Sequence, residues 1–266
     1  MVEQEFVDLN RTMYLTAFIL AAKEGKVAKV ESLLEQGVGA NWRDKEGWTA
    51  LLAASAYGSP AVIKLLLEHK AHINENDLEG RSPLILATAE DKLLNVQMLL
   101  SEGAGVNHKD KSGRTALSFA AQHSSLELLE TLLRNMADSN ISDIGQRTPL
   151  MYASQYSYFS QEPLASSQES VGDHVGAKKE DEKVDQSIQK VEILVKRRAH
   201  LDSQDIQGCT ALMYAAMSGS AGKVEFLLEK GANPKIKDKT GLTAAKYAAK
   251  HSNKKLSSFF KPAWGW

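Results

Sequence analysis

Short clusters of apolar and small residues recur along the chain at a fixed interval. Thr16-Ala17-Phe18-Ile19-Leu20-Ala21-Ala22 is followed 33 residues on by Thr49-Ala50-Leu51-Leu52-Ala53-Ala54-Ser55. The same interval leads to Ser82-Pro83-Leu84-Ile85-Leu86-Ala87-Thr88, to Thr115-Ala116-Leu117-Ser118-Phe119-Ala120-Ala121 and to Thr148-Pro149-Leu150-Met151-Tyr152-Ala153-Ser154. A longer step of 62 residues reaches Thr210-Ala211-Leu212-Met213-Tyr214-Ala215-Ala216, and Thr243-Ala244-Ala245-Lys246-Tyr247-Ala248-Ala249 lies 33 further on. A hydroxyl residue before an apolar run predicts a capped helix start, and Pro83 and Pro149 fit its first turn, where no N–H is needed. A second helix is predicted after each opening from the paired apolar residues Leu33-Leu34, Leu66-Leu67, Leu99-Leu100, Leu132-Leu133, Leu194-Val195 and Leu227-Leu228. Gly37, Gly103 and Gly231 suit the left-handed residue that closes such a helix. Asp44…Gly47, Asp77…Gly80, Asp110…Gly113, Asp205…Gly208 and Asp238…Gly241 mark the turns that lead to the next opening. A supersecondary unit repeated at this period predicts a stacked array in which no unit buries its apolar face alone.

These openings, leucine pairs and Asp–Gly turns resemble the ankyrin repeat family over about residues 16–260. The resemblance implies an all-α solenoid of stacked helix–turn–helix units joined by β-hairpin turns, with seven repeats. Residues 1–15 would form an N-terminal cap, with Asn10 or Thr12 as a helix start. Residues 16–242 would hold six repeats, and 243–266 a capping repeat and an aromatic tail ending Trp264-Gly265-Trp266. Leu256, Phe259 and Phe260 are expected to cover the last core layer. The family's usual histidine at the fourth position of the opening is replaced by Ile19, Leu52, Ile85, Ser118, Met151, Met213 and Lys246. The glycine that ends the second helix is replaced by Lys70, Met136 and Arg198, and a left-handed non-glycine residue costs about 1 kcal/mol. In Asp143-Ile144-Gly145-Gln146-Arg147 the glycine stands one place early.

The long step between openings places an insertion at about 158–186, polar and acidic, with Glu162, Glu169, Asp173, Glu180, Asp181, Glu182 and Asp185. Its composition predicts a mobile loop, with the second helix of that repeat resuming near Ser187. Such a segment is either a tolerated surface insertion or a partner-binding or regulated one. Ser154-Gln155, Ser160-Gln161 and Ser167-Gln168 resemble short kinase sites. The terminal tryptophans either pack on the last repeat or serve as a docking element.

Composition narrows the function classes. The chain has 266 residues, 43% apolar and 24% charged, with a net charge of −1. A chain-wide basic field for nucleic acid is absent. The one cysteine, Cys209, allows no internal disulfide and points to a reducing compartment, cytoplasmic first and nuclear second. The acidic start Met1-Val2-Glu3-Gln4-Glu5 is unlike a secretion signal, and the apolar run Met13–Ala22 is too short to span a bilayer.

Little in the sequence points to catalysis. The seven histidines are scattered, and His69 and His72 have no cysteine or carboxylate cluster beside them. Cys209 and His200 are near only in sequence, and the glycines punctuate repeats instead of forming a phosphate loop. No catalytic, cofactor or metal site is expected.

Partner-binding surfaces in the ankyrin family are usually the turn tips and the exposed face of the first helices. Carried onto this chain, that implies Trp48, Leu78, Arg81, Arg114, Ile144 and Arg147 at the turns, and Tyr57, Glu90, His123 and Tyr156 at the ends of first helices. Trp, Tyr and Arg are enriched in binding hot spots. Arg81, Arg114 and Arg147 recur every 33 residues and would line one edge, unless each is scaffold. Trp48 would lie open to a partner, unless it packs on Trp42 and Arg43. Leu78, Ile144 and Ile206 are apolar tips that need a reason. The expected function is a non-enzymatic adaptor, a monomer that holds an extended protein segment with apolar and acidic groups and binds no nucleic acid or membrane. The alternatives are an ankyrin effector of an intracellular pathogen and the regulatory portion of a larger protein. The resemblance also implies a modification, hydroxylation of Asn74 or Asn107 after the second helices, although His72 and Gly105 are not the acidic neighbours such sites favour.

Overall fold

The computed structural model describes the backbone of residues 2–155, 176–250 and 254–260, and the side chains of 12–155, 186–250 and 255–260. The openings become helix starts where a hydroxyl can cap them. The Thr49 side chain accepts the Leu52 N–H at 3.2 Å, Ser82 that of Ile85 at 3.3 Å, and Thr210 that of Met213 at 3.3 Å. Thr115 and Ser118 cap each other reciprocally.

The chain divides into two compact units, Met1–Asp138 and Ser139–Trp266. The first holds α1 (Val2–Lys23), α2 (Val27–Glu35), α3 (Ala50–Tyr57), α4 (Pro60–Glu68), α5 (Pro83–Ala89), α6 (Leu93–Ser101), α7 (Ala116–Gln122) and α8 (Leu126–Arg134). Within it the odd-numbered helices pack in one layer and the even-numbered ones in a second, each odd helix joined to the even helix that follows. The second unit holds α9 (Pro149–Gln155), α10 (Gly176–Lys196), α11 (Ala211–Met217), α12 (Ala221–Glu229), α13 (Ala244–Ala249) and α14 (Lys254–Ser258), in the same two-layer order. No strand occurs among the described residues.

Burial follows the repeat. The first leucine of each pair (Leu33, Leu66, Leu99, Leu132, Leu194, Leu227) is buried. The first helices are lined with alanines, which let neighbouring helices approach closely, and all of α3 from Ala50 to Ala56 is buried. Leu256 and Phe259 are buried and Phe260 half-buried.

Each turn is closed by its own aspartate. The Asp77 N–H donates to the Arg81 carbonyl at 3.1 Å, and its Oδ1 accepts the N–H groups of Glu79 and Arg81 at 2.9 and 2.8 Å. Asp44, Asp110, Asp143, Asp205 and Asp238 likewise donate to the carbonyl four residues on. Single hydrogen bonds tie neighbouring turns: Lys111 N–H to the Glu79 carbonyl in the first unit, Ile206 to Gly145 and Lys239 to Gln207 in the second. A second ladder runs through asparagines. Asn107 donates to the Met136 carbonyl and accepts the Asp138 N–H at 2.9 Å, and Asn41 spans Lys70 and His72 in the same way.

Lys70, Met136 and Arg198 are left-handed at φ of 64°, 65° and 65°, as their place at the helix ends predicts. With Gly145 one place early, Gln146 takes the left-handed conformation at φ 59°. Two expectations are corrected. The N-terminal segment and the first repeat helix form one continuous helix, Val2–Lys23, so neither Asn10 nor Thr12 starts it. No glycine or proline interrupts it, and the Thr16 hydroxyl donates back to the Thr12 carbonyl at 2.9 Å instead of capping. The other correction concerns the insertion: α10 opens at Gly176, not near Ser187, so the end of the acidic stretch is helix and not loop. Charged residues such as Lys179 and Lys183 have good helix propensity, and the Val191 and Leu194 anchors lie on the same helix. The rest of the insertion up to residue 175, the Trp264–Trp266 tail and Tyr156 lie outside the described residues.

Candidate protein-binding site

In the first unit the aromatic residues meet along α3. Trp48 is half-buried over Leu52, Ala56 and Leu86. Its ring stacks on Tyr57, with centroids 6.3 Å apart and planes 21° from parallel. Trp42 instead covers Gly39, where an added Cβ would come within 2.5 Å of the indole nitrogen. Tyr57 is 43% exposed at the C-terminal end of α3, and the Lys23 ammonium at the end of α1 lies 4.8 Å from its ring centroid. Leu20 of α1 is 51% exposed. Glu90 and His123, the C-caps of α5 and α7, are exposed at the same ends of the following first helices. The stacking of the odd-numbered helices therefore sets Tyr57, Glu90 and His123 at successive equivalent places, with Lys23 at the end of α1 beside Tyr57. Lys23 and Leu20 are additions to the residues expected from sequence. They fall on a helix with no turn before it, so the repeat pattern does not single them out.

The arginines are drawn inward. Arg81 holds Asp77 Oδ2 through two nitrogens, Nε at 2.7 Å and a terminal nitrogen at 2.7 Å. Arg114 lies 3.6 Å from Asp110 Oδ2 and its guanidinium sits 3.9 Å over the Phe119 ring. Both are half-buried in the first unit. In the second unit Arg147 lies 3.8 Å from Asp143 and 5.3 Å over Tyr152. Arg81 thus stitches its turn by hydrogen bonds, while Arg114 and Arg147 lie close to their turn carboxylates and over a neighbouring ring. Leu78 leans on Gly47, where a Cβ would come within 2.9 Å of its side chain, yet stays 54% exposed. Ile144 and Ile206 of the second unit are 76% and 46% exposed.

In the second unit tyrosine hydroxyls also bind the turn aspartates. The hydroxyls of Tyr152, Tyr214 and Tyr247 donate to Oδ2 of Asp143, Asp205 and Asp238, each at 2.5 Å. Burial raises the Asp238 carboxyl, but hydrogen bonds from the Tyr247 and Thr240 hydroxyls and from backbone N–H groups outweigh it and hold it at about 2. The same bond to Asp238, then burial, pushes the Tyr247 phenol up to about 12. Burial first, then the bond to Asp205, raises Tyr214 as well.

Two further groups bear on chemistry. Cys209 is buried, and burial, then the Asp205 and Asp238 carboxylates, push its thiol up to about 11, which keeps it from acting as a thiolate nucleophile. Lys223 is fully buried on α12 and its Nζ donates to the Ala153 carbonyl near the end of α9 at 2.8 Å. Burial, then the Lys190 charge, lowers it to about 7. Asn95 of α6 holds the corresponding place in the first unit, donating to the Ala54 and Ser55 carbonyls. Among the described residues no cluster of His, Cys, Asp and Glu could hold a metal ion, and no helix is long and apolar enough to cross a membrane.

Paired helices stacked in two layers, with Asp-closed turns between them, define a helical repeat protein. The family model for ankyrin repeats matches three times, over residues 18–110, 84–162 and 183–260, and the chain belongs to that family. No curated protein matches the chain. Ankyrin repeats are generally protein–protein interaction modules and typically non-enzymatic.

Proposed function

We propose that the protein is an adaptor that holds a partner protein along the C-terminal ends of the first helices of its first unit, centred on Tyr57. The observation that carries this reading is the Tyr57 ring. It is 43% exposed, yet Trp48 backs one face of it, so the ring is held rigidly where a partner can reach it. A rigid, half-exposed aromatic loses little entropy on binding, the usual property of a hot spot. Leu20 adds apolar surface, and Lys23 adds a cation beside the ring. Together they suit an extended segment with an apolar anchor and an acidic neighbour. Glu90 and His123 continue the same line and would set its register. Of the residues expected from sequence, Tyr57, Glu90 and His123 belong to this face, Trp48 supports it, and Arg81 and Arg114 act mainly as scaffold. The protein would act as a monomer in a reducing, cytoplasmic setting, which the buried Cys209 thiol suits.

The test compares wild type with a Tyr57→Ala, Leu20→Ser variant as baits in cell lysate, matched for folding by circular dichroism. Proteins captured by wild type and lost from the variant are expected. Equal capture by both baits overturns the assignment of this face.

A further inference from the structure

The net charge of the whole chain hides a local excess at its C-terminal end. From Lys230 to Phe260 the sequence has eight lysines and a single carboxylate, Asp238. Asp238 is buried and its oxygens are taken by Tyr247, Thr240 and backbone N–H groups, so it forms no ion pair with a lysine and offsets only one of the eight charges. Lys230, Lys235, Lys237, Lys239, Lys246 and Lys250 are all exposed, on the last two turns and on α13. None of the six makes an ion pair among the described residues. A pocket of about 160 Å³ opens among them, lined by Pro234, Lys235, Ala245 and Phe260. Three of its four lining residues are apolar, and Lys235 is the fourth. Lys246 follows Ala245 directly.

From this we infer that the last repeat and its cap form a second docking surface, for an acidic protein segment that inserts one apolar side chain between Pro234, Ala245 and Phe260. The lysines supply the attraction and the orientation, and the pocket supplies a short-range anchor. Charge alone would also suit a nucleic acid, but the pocket is lined mainly by the apolar groups of Pro234, Ala245 and Phe260, which suit an apolar side chain. The Lys230 ammonium lies 5.3 Å over Phe226, Lys250 5.0 Å over Tyr247 and Lys255 5.9 Å over Phe259. Single-stranded nucleic acid is held by bases stacked on open aromatic faces, and each of these three rings has a lysine ammonium near one face. The surface is separate from the Tyr57 face and stands whether or not that reading holds.

The test uses the full chain and three fluorescein-labelled probes: a short peptide of glutamates flanking one leucine, the same peptide with glycine for leucine, and a thymidine oligonucleotide of similar charge. Anisotropy is read at low and high salt. Wild type is expected to bind the leucine peptide best and to lose about tenfold or more in affinity at high salt. The glycine peptide is expected to bind several-fold more weakly. A Lys235→Glu, Lys246→Glu variant should lose about tenfold or more, and a Lys45→Glu, Lys111→Glu variant, changed on the turns of the first unit, should bind as wild type. The proposal fails if wild type binds no peptide at low salt, or if both variants lose affinity equally. It also fails if the glycine peptide binds as well as the leucine peptide, or if the oligonucleotide binds more tightly than either.

Discussion

Tyr57 and Trp48 stand at opposite ends of α3, yet their rings stack at 6.3 Å. The indole can lie back along the helix because Leu52 and Ala56 follow it at four-residue steps and form a continuous apolar floor. A residue of the turn thereby sets the position of a residue on the binding face. Trp48→Ala removes cover from Leu52, Ala56 and Leu86 as well as the stack. For a half-buried indole the expected cost is about 2 kcal/mol, below the range for fully buried aromatics. Tyr57→Ala should cost about 1 kcal/mol. The two changes together should fall short of additive by about 0.5–1.5 kcal/mol, the usual worth of an aromatic pair. Urea unfolding of the two single variants and the double variant measures this directly, and strict additivity would deny the coupling.

Met136 and Asp91 make opposing predictions for the same substitution. Both are left-handed, at φ 65° and 50°. The Met136 side chain is 81% exposed, so Met136→Gly relieves backbone strain with little packing to lose. It should stabilise the protein by about 1 kcal/mol. Asp91 differs because its Oδ1 accepts both the N–H and the hydroxyl of Ser125, at 2.9 and 3.0 Å. Asp91→Gly loses those bonds and should be neutral or destabilising. Thermal melts in which Met136→Gly rises and Asp91→Gly does not would separate strain from stitching.

The left-handed residues show how far the amino-acid pattern reaches. Lys70, Met136 and Arg198 stand where a glycine recurs elsewhere, and the repeat alone places them. The caps of Thr49, Ser82 and Thr210 are legible for the same reason, since each rests on residues three apart in sequence. The bonds from Tyr152, Tyr214 and Tyr247 to aspartates nine residues earlier are not, because those tyrosines sit at positions that read as helix core. The spacing of the arginines suggests a surface row, but spacing does not say whether a guanidinium faces outward or back to its own turn. Of the candidate site, Tyr57 and Trp48 are visible in the sequence and their stack is not. Lys223 gives no signal, because lysine is ordinarily a surface residue and the α9 carbonyl it meets is distant in sequence.

The tyrosine bonds carry a prediction for acid stability. Asp238 is held at about 2, below its ordinary value of 3.8. A carboxyl lowered on folding contributes stability that is present above the unfolded value and is lost as pH falls through the folded one. Its contribution is therefore complete above about pH 4 and disappears towards pH 2. In Tyr247→Phe the carboxyl loses one of the hydrogen bonds that hold it down, so its folded value moves up towards the unfolded one. Acid unfolding of this variant, followed by circular dichroism, should begin at a higher pH than in wild type. Coincident acid transitions would mean that the phenol contributes nothing to the carboxylate.

Lys223 predicts the opposite limb. Folding lowers it from 10.5 to about 7, so above pH 7 the folded state has given up a proton that the unfolded chain still binds. Stability then rises with pH between 7 and about 9.5, by at most about 1.4 kcal/mol per pH unit from this group. The rise should end near pH 10. There the raised phenols of Tyr214 and Tyr247 act in reverse, because the unfolded tyrosines ionise first and stability is lost. Lys223→Gln keeps an N–H donor for the Ala153 carbonyl but does not titrate. Its urea midpoints should be flatter than those of wild type across pH 7 to 9.5, whatever its stability at any one pH. Parallel slopes in the two proteins would assign the titration to another group and leave Lys223 as a hydrogen-bond donor to α9 alone.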